Sequence, residues 1–312
     1  MRDALLARIS KLAESDKDIV LLTADLGYGV FEEFESKFPG QFFNVGVAEQ
    51  NMTGIAAGLA LEGKKVITYS IGNFPTLRCL EQIRNDVCYH ELNVTIIAAG
   101  GGFSYGQLGM SHHATEDISI MRSLPNTTVV VPSTPWEAAE AIDALIKNQG
   151  VGYLRLDKSK GSQKDTDDNF ELGKALKISS EDGKDVCFFV TGGIIDEVIE
   201  AAKLLNEFNI SASILSIHTI KPIDKTAIRD AINNTRLLVS VEEGNLIGGL
   251  GSAICEYCMD NQLIPGDFLR IGIDDELSCY VGDQYYLRKQ HKLDSQYIYR
   301  IVKERILKGR DV

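Results

Sequence analysis

The sequence predicts an α/β protein of two domains, each a mostly parallel sheet with helices on both faces. Three observations carry that prediction. Short apolar runs alternate with helical patterns along nearly the whole chain, as expected for βα units feeding a parallel sheet. Runs such as Ile19-Val20-Leu21-Leu22 are apolar at every position, which suits strands covered on both faces. The alternation breaks between Lys158 and Lys184 into a polar, charged stretch with scattered glycines, then restarts. A length of 312 residues suits two such domains. They are placed at 1–160 and 181–312, with a linker over 161–180.

Residues 3–14 form an amphipathic helix with Leu5, Leu6, Ile9, Leu12 and Ala13 on one side. A buried strand at 18–23 is followed by the turn Ala24–Gly29, and a helix near 31–37 stops at Pro39-Gly40. A short strand at 42–44 leads into a helix beginning near Glu49. Its run from Gly54 to Leu61 is almost devoid of polar groups, so the helix is expected to be buried. Strands at 65–69, 93–98, 127–131 and 152–156 alternate with helices at 75–89, 114–123 and 135–148. In the second half, strands at 186–190, 212–216, 236–241 and 268–272 alternate with helices at 194–208, 224–232, 250–261 and 294–308.

A formal charge of −12 and a pI near 5 argue against the basic face that a duplex nucleic-acid binder needs. No apolar run is long enough for a transmembrane helix. The start Met1-Arg2-Asp3-Ala4 lacks a signal-peptide core. The six cysteines are scattered, and Cys255-Glu256-Tyr257-Cys258 has no second ligand pair to make a zinc site. Reduced thiols in a cytoplasmic protein are the expectation.

Open parallel sheets bind ligands beyond the carboxyl ends of their strands. The segments there are Asp25–Gly29, Gly46–Glu49, Ser70–Phe74, Gly100–His113 and Arg155. Glu49 stands where an apolar strand end meets an apolar helix, so it is either a surface cap or a buried functional acid. The loop after the strand at 93–98 holds glycines 100, 101, 102, 106 and 109, but no Lys-Ser or Lys-Thr opens a following helix, so a P-loop is not expected. His112-His113 suits proton transfer or a hydrogen bond to a substrate oxygen, although a bare His-His pair is more often a surface feature.

Phe43-Asn44-Val45-Gly46-Val47-Ala48-Glu49-Gln50-Asn51-Met52 resembles the segment around the cofactor glutamate of transketolases. The resemblance continues through Arg78–Asp86, Ser104-Tyr105-Gly106, Gly109-Met110-Ser111-His112, Glu116-Asp117-Ile118, Leu124-Pro125-Asn126 and Val131-Pro132-Ser133. Gly248-Gly249-Leu250-Gly251-Ser252-Ala253 resembles the C-terminal domain of the same group. The resemblance implies a thiamine diphosphate enzyme, with its pyrimidine-binding domain followed by its C-terminal domain. Carried over residue by residue, it makes Glu49 and His112 catalytic. It puts Glu49, Gln50, Asp25, Phe74 and Leu77 at the cofactor, and His112, His113, Gln107, Arg155 and Arg2 at the substrate. Glu49 would hydrogen-bond a ring nitrogen of the aminopyrimidine. A glutamate in apolar surroundings has its pKa raised, which suits sharing a proton at neutral pH. The second domain would mainly pack a dimer, with Ser216–Pro222 and Glu242–Asn245 as turn-like clusters.

The Gly-Asp-Gly motif that such enzymes use for Mg2+ and the diphosphate is missing; Gly266-Asp267-Phe268 and Gly282-Asp283-Gln284 have the wrong third residue. The resemblance is therefore to the C-terminal half of a split enzyme. An N-terminal-half partner would hold Mg2+ and the diphosphate, giving an α2β2 assembly, and this chain alone would be inactive and hold no metal. Leu108, Gly100 and Gly29 stand where the family keeps an aspartate, a histidine and a phosphate-binding serine, and His113 replaces a glutamine. Each lost polar contact costs about 1–3 kcal/mol, so a specialised ketose donor, less hydroxylated or differently shaped, is expected. The alternatives are a deoxyxylulose-phosphate-synthase-like or 2-oxoacid-decarboxylating subunit and, in another class, a non-catalytic regulatory subunit.

Overall fold

A computed structural model describes residues 1–158, 169–178 and 183–308. The strands are β1 (Ile19–Thr23), β2 (Phe42–Asn44), β3 (Lys65–Ile71), β4 (Val94–Ala99), β5 (Thr127–Val130) and β6 (Val151–Leu156), then β7 (Leu176–Lys177), β8 (Val186–Thr191), β9 (Ala212–Ser216), β10 (Thr219–Lys221), β11 (Leu237–Asn245) and β12 (Phe268–Ile273). They make two sheets, ordered β10-β5-β6-β4-β3-β1-β2 and β12-β11-β8-β9-β7. All pairings within β1–β6 are parallel, as are those among β8, β9, β11 and β12.

The apolar strands are buried on both faces because successive side chains alternate sides. In the first sheet Val20, Leu22, Val66 and Ile96 pack under the helix Glu49–Leu61. Their neighbours Ile19, Leu21, Ile67 and Ile97 pack against Leu5 and Ile9 of the helix Arg2–Ser15 and Ile142 of the helix Pro135–Lys147. The second of these helices has Thr134 as its N-cap, accepting from the Glu137 amide, with Pro135 at its first position. The second sheet is covered in the same way by the helices Ile195–Glu207 and Leu250–Asp260 on opposite faces.

Several sequence expectations change. The helix from Glu49 is buried on one face only: Met52, Thr53, Ala56 and Ala57 face the sheet, while Gln50, Gly54, Gly58 and Leu61 are exposed. The helix expected at 75–89 is a 3-10 turn at Leu77–Cys79, an α turn at Leu80–Gln82 and a wider π turn at Ile83–Cys88. A further helix, Gln284–Gln290, precedes the terminal one and is capped by Asp283. Glu242 and Glu243, read as a turn, lie buried within β11. Of the expected linker, 161–168 and 179–180 lie outside the described residues. Its remainder contributes β7, antiparallel to β9, and Phe170, which stacks 4.1 Å from the His218 ring. Chain also crosses the other way, because β10 from the second half pairs antiparallel with β5 at the edge of the first sheet.

No described helix is long and apolar enough to cross a membrane. All six cysteines are unbridged.

Candidate active site

Glu49 is positioned by the turn between β2 and its helix. The Asn44 amide oxygen accepts from the backbone N–H of Asp25 (2.9 Å) and of Gly46 (3.0 Å). Asn44 also donates to the Asp25 carboxylate at 3.2 Å, and the Tyr28 hydroxyl donates to the same oxygen at 3.1 Å. Gly46 has φ +75°, a left-handed conformation that favours glycine. The chain can therefore reverse and present Glu49 as the first helical residue, 2% exposed. Its surroundings are not purely apolar. The Arg78 guanidinium donates to Glu49 Oε2 at 2.7 Å, lies 4.9 Å from the Phe74 ring centroid, and that ring meets the His112 ring edge-on at 5.2 Å. Glu49, Arg78, Phe74 and His112 thus form one row, and Val47 and Leu77, close to its members in sequence, are exposed. Gln50 is exposed beside Glu49.

His112 sits on the 3-10 turn Met110–His112 and is half-buried, with the Ser111 hydroxyl 3.1 Å from Nδ1. His113 is different. It is buried, packs edge-on against Phe103 at 5.2 Å, and places Nε2 3.4 Å from the Gly106 carbonyl. Burial pushes its pKa down, the Gly106 carbonyl opposing. His113, expected at the substrate, lies buried in the loop with its Nδ1 unpartnered. Gln107, Leu108 and Met110 are exposed around the loop tip.

Arg155, also expected at the substrate, is held inside the protein. Instead of facing a ligand it is 1% exposed. Its Nη1 meets Asp117 at 3.3 Å, its Nε meets Asp157 at 3.3 Å, and its Nη2 donates to the Glu243 carbonyl at 2.7 Å. Burial works against its charge, and Asp117 and Asp157 override that and hold its pKa above the ordinary value. A fully desolvated guanidinium needs such carboxylates.

Two accessible cationic groups lie at a neighbouring cavity. A cavity of about 330 Å3 at the ends of β3, β4 and β6 is lined by Met1, Arg2, Tyr69, Gly100, Tyr105 and Lys158, among others. Arg2 is half exposed. The Lys158 ammonium sits 3.8 Å from the Tyr105 ring centroid, a cation–π contact. Burial, then Arg2, lowers its pKa. Gly100, at φ +85°, could carry no side chain here, because its Cβ would enter the Tyr105 ring. The tyrosine fills the space that a side chain at 100 would take. Gly29 is exposed and donates to Glu32 at 2.7 Å. Among the described residues no cluster of three or more His, Cys, Asp or Glu is placed to hold a metal.

The family model for the pyrimidine-binding domain of transketolase matches residues 1–163, and that for the transketolase C-terminal domain matches residues 173–298. The chain belongs to the transketolase family. A subunit of the apulose-4-phosphate transketolase of Actinobacillus succinogenes is 32% identical over 299 residues, covering 96% of either chain. A 6-deoxy-6-sulfo-D-fructose transketolase subunit of a Clostridium species is 34% identical, covering 97% of this chain and 94% of that one. A solved structure described as a split gene transketolase, inactive beta4 tetramer, superposes with a TM-score of 0.85 at 31% identity, over 98% of this chain and 97% of the other.

In this transketolase-family chain, sequence reasoning missed Arg78, Asn44, Tyr105 and Lys158 as parts of the site. The available signal for Arg78 was its place at the head of the segment Arg78–Asp86 that resembles the family. Lys158 carried none, since it reads as the start of a polar linker.

Proposed function

We propose that this chain is the catalytic half of a split transketolase. It would transfer a two-carbon ketol unit from a ketose with an anionic terminal group to an aldehyde, in the cytoplasm. The carrying observation is the row Glu49–Arg78–Phe74–His112: a buried carboxylate at a helix start, beside an aromatic face and a half-buried imidazole. A flat heteroaromatic ring with a basic nitrogen fits that combination, and the donor set therefore suits the aminopyrimidine of thiamine diphosphate. When bound, thiamine diphosphate supplies the electron sink that lets a carbon–carbon bond break and reform.

The residues of this chain have separate tasks in that reading. Arg78 engages Glu49 Oε2, leaving Oε1 to share a proton with a ring nitrogen. Phe74 and Leu77 give the ring an apolar wall, and the Asp25–Asn44 turn holds Glu49 in place. His112 exchanges a proton with a substrate oxygen at the opposite end of the row. Arg2 and Lys158 receive the anionic end of the donor. The phosphate and sulfonate in the names of the two related subunits support that class of substrate. The exposed Leu108 and Met110 make this rim poor in hydrogen-bond partners for a polyol. A second chain, the N-terminal half, would supply the Mg2+ and diphosphate site in an α2β2 complex.

The test is reconstitution with an N-terminal-half chain, thiamine diphosphate and Mg2+, assaying a phosphorylated ketose, a sulfonated ketose and pyruvate as donors. Ketol transfer from an anionic ketose is expected, with Glu49→Ala reducing it at least ~10²-fold, within the usual range for a proton-transfer group. Activity of the purified chain alone, or an unaffected Glu49→Ala complex, refutes the reading. Preferential pyruvate turnover moves the protein to the oxoacid-using branch.

A further inference from the structure

We propose that Glu243, on the second sheet, is a positioning residue that sets the conformation of the His112 loop. Neither family membership nor the role proposed for His112 assigns it this task. Glu243 is 2% exposed. Its Oε1 accepts from the Phe103 backbone N–H at 2.6 Å and from the Gln284 side chain at 2.9 Å, across a sequence separation of 140 residues in the first case. Its Oε2 is held by Arg288, with Nε at 2.7 Å, and Arg288 is itself buried. The carboxylate is thus fixed from its own domain and offered to the loop of the other.

The loop is built to meet it. Gly102 has φ +58°, and a Cβ there would lie 2.5 Å from Glu243 Oε1, so the backbone rests directly on the carboxylate. Gly102 is bridged to Ala114 by two hydrogen bonds, its N–H donating at 2.7 Å and its carbonyl accepting at 3.0 Å. Ala114 lies two residues beyond His112. The next foot of the loop is gripped by the same strand, since the Asn245 N–H donates to the Thr115 carbonyl at 2.9 Å. At Gly106 the loop packs against Leu287 and the Gly282 carbonyl so closely that any side chain would collide. One strand therefore holds both ends of the segment that carries His112, and the helix after Asp283 supports its middle. A buried charge-assisted bond of this kind orients the groups it touches.

The placement rests on the structure, and its consequence for turnover rests on the reading of His112 given above. The experiment compares Glu243→Ala, Glu243→Gln and Gln284→Ala in the full chain, by amide exchange and by the NMR signal of the His112 ring, and then by turnover of the two-chain complex. In Glu243→Ala the Phe103 amide is expected to exchange at least about tenfold faster, with core amides of β8 unchanged. The His112 ring signal should shift, and kcat should fall tenfold or more with a smaller change in KM, as for a misplaced group. Glu243→Gln, which keeps an acceptor for Phe103 but turns an amide N–H toward Arg288, should restore part of each effect. If Glu243→Ala does not fold, Gln284→Ala should show the same changes in weaker form. An unchanged His112 signal in a folded Glu243→Ala chain, or in Gln284→Ala when the former does not fold, overturns the proposal. The NMR and exchange results stand even if the transfer activity itself is not found.

Discussion

Replacing Arg155 with Leu separates a substrate-binding arginine from a structural one. The substitution removes a guanidinium that is 1% exposed and leaves two buried carboxylates without their cation, Asp117 at 0% exposure keeping the Tyr153 hydroxyl and Asp157 at 5% keeping the Gly193 amide. The Coulombic gain of a buried pair roughly offsets its desolvation, so the pair itself adds little; the loss comes from what is left unpaired. Breaking such a set from one side costs about 3–5 kcal/mol. In a chain of this size that corresponds to a fall in melting temperature of about 5–8 °C. Denaturant unfolding of the wild-type chain, Arg155→Leu, and Arg155→Leu combined with Asp117→Asn and Asp157→Asn measures it. The combined variant should recover part of the loss, because it no longer buries two unpaired charges. A stability change under ~1 kcal/mol, accompanied by a large rise in KM for an anionic donor, would refute the reasoning and return Arg155 to the substrate.

Glu137 is fully buried and accepts from the Ser133 amide at 2.6 Å. Burial raises its pKa from 4.5 to about 7, the Ser133 amide opposing. The folded chain therefore binds the proton more tightly than the unfolded one, so this stability is full below 4.5 and is lost as pH rises through about 7. The difference is worth about 3 kcal/mol. Glu137→Gln should flatten the pH dependence of unfolding across that window and exceed the wild type above it. Glu242 is raised to about 7 in the same way, so part of the slope should persist; an unaltered slope counts against the account. Lys158→Ala should raise KM for an anionic ketose about tenfold, the weight of one charge-assisted hydrogen bond, with kcat little changed; equal KM values for the two forms would remove Lys158 from the site.

Elements that depend on neighbours in sequence were legible. The strand β1 was readable from four consecutive apolar residues, and the helix Pro135–Lys147 from its place in the alternation of strands and helices. Glu49 stood out because one acid interrupts an otherwise apolar junction. The exposure of half its helix was not legible, because a run of Gly, Ala and Leu looks the same whether one face or both are covered. Gly100 reads as a lost side chain in one dimension; the Tyr105 ring that occupies its space is visible only in three.

By itself, the sequence determined the alternation of strands and helices, the family and the acid at the head of the helix, since period, turn chemistry and short motifs are local properties. Tertiary structure decided what the charged residues do. Arg155 finds Asp117 at a separation of 38 residues and the Glu243 carbonyl at 88, and Glu243 finds Phe103 at 140. Whether a guanidinium meets solvent, ligand or a carboxylate depends on which chain segments the fold brings beside it. Local pattern carries no record of those segments, and the cost of leaving such a group unpaired inside the protein makes the pairing obligatory once it is buried.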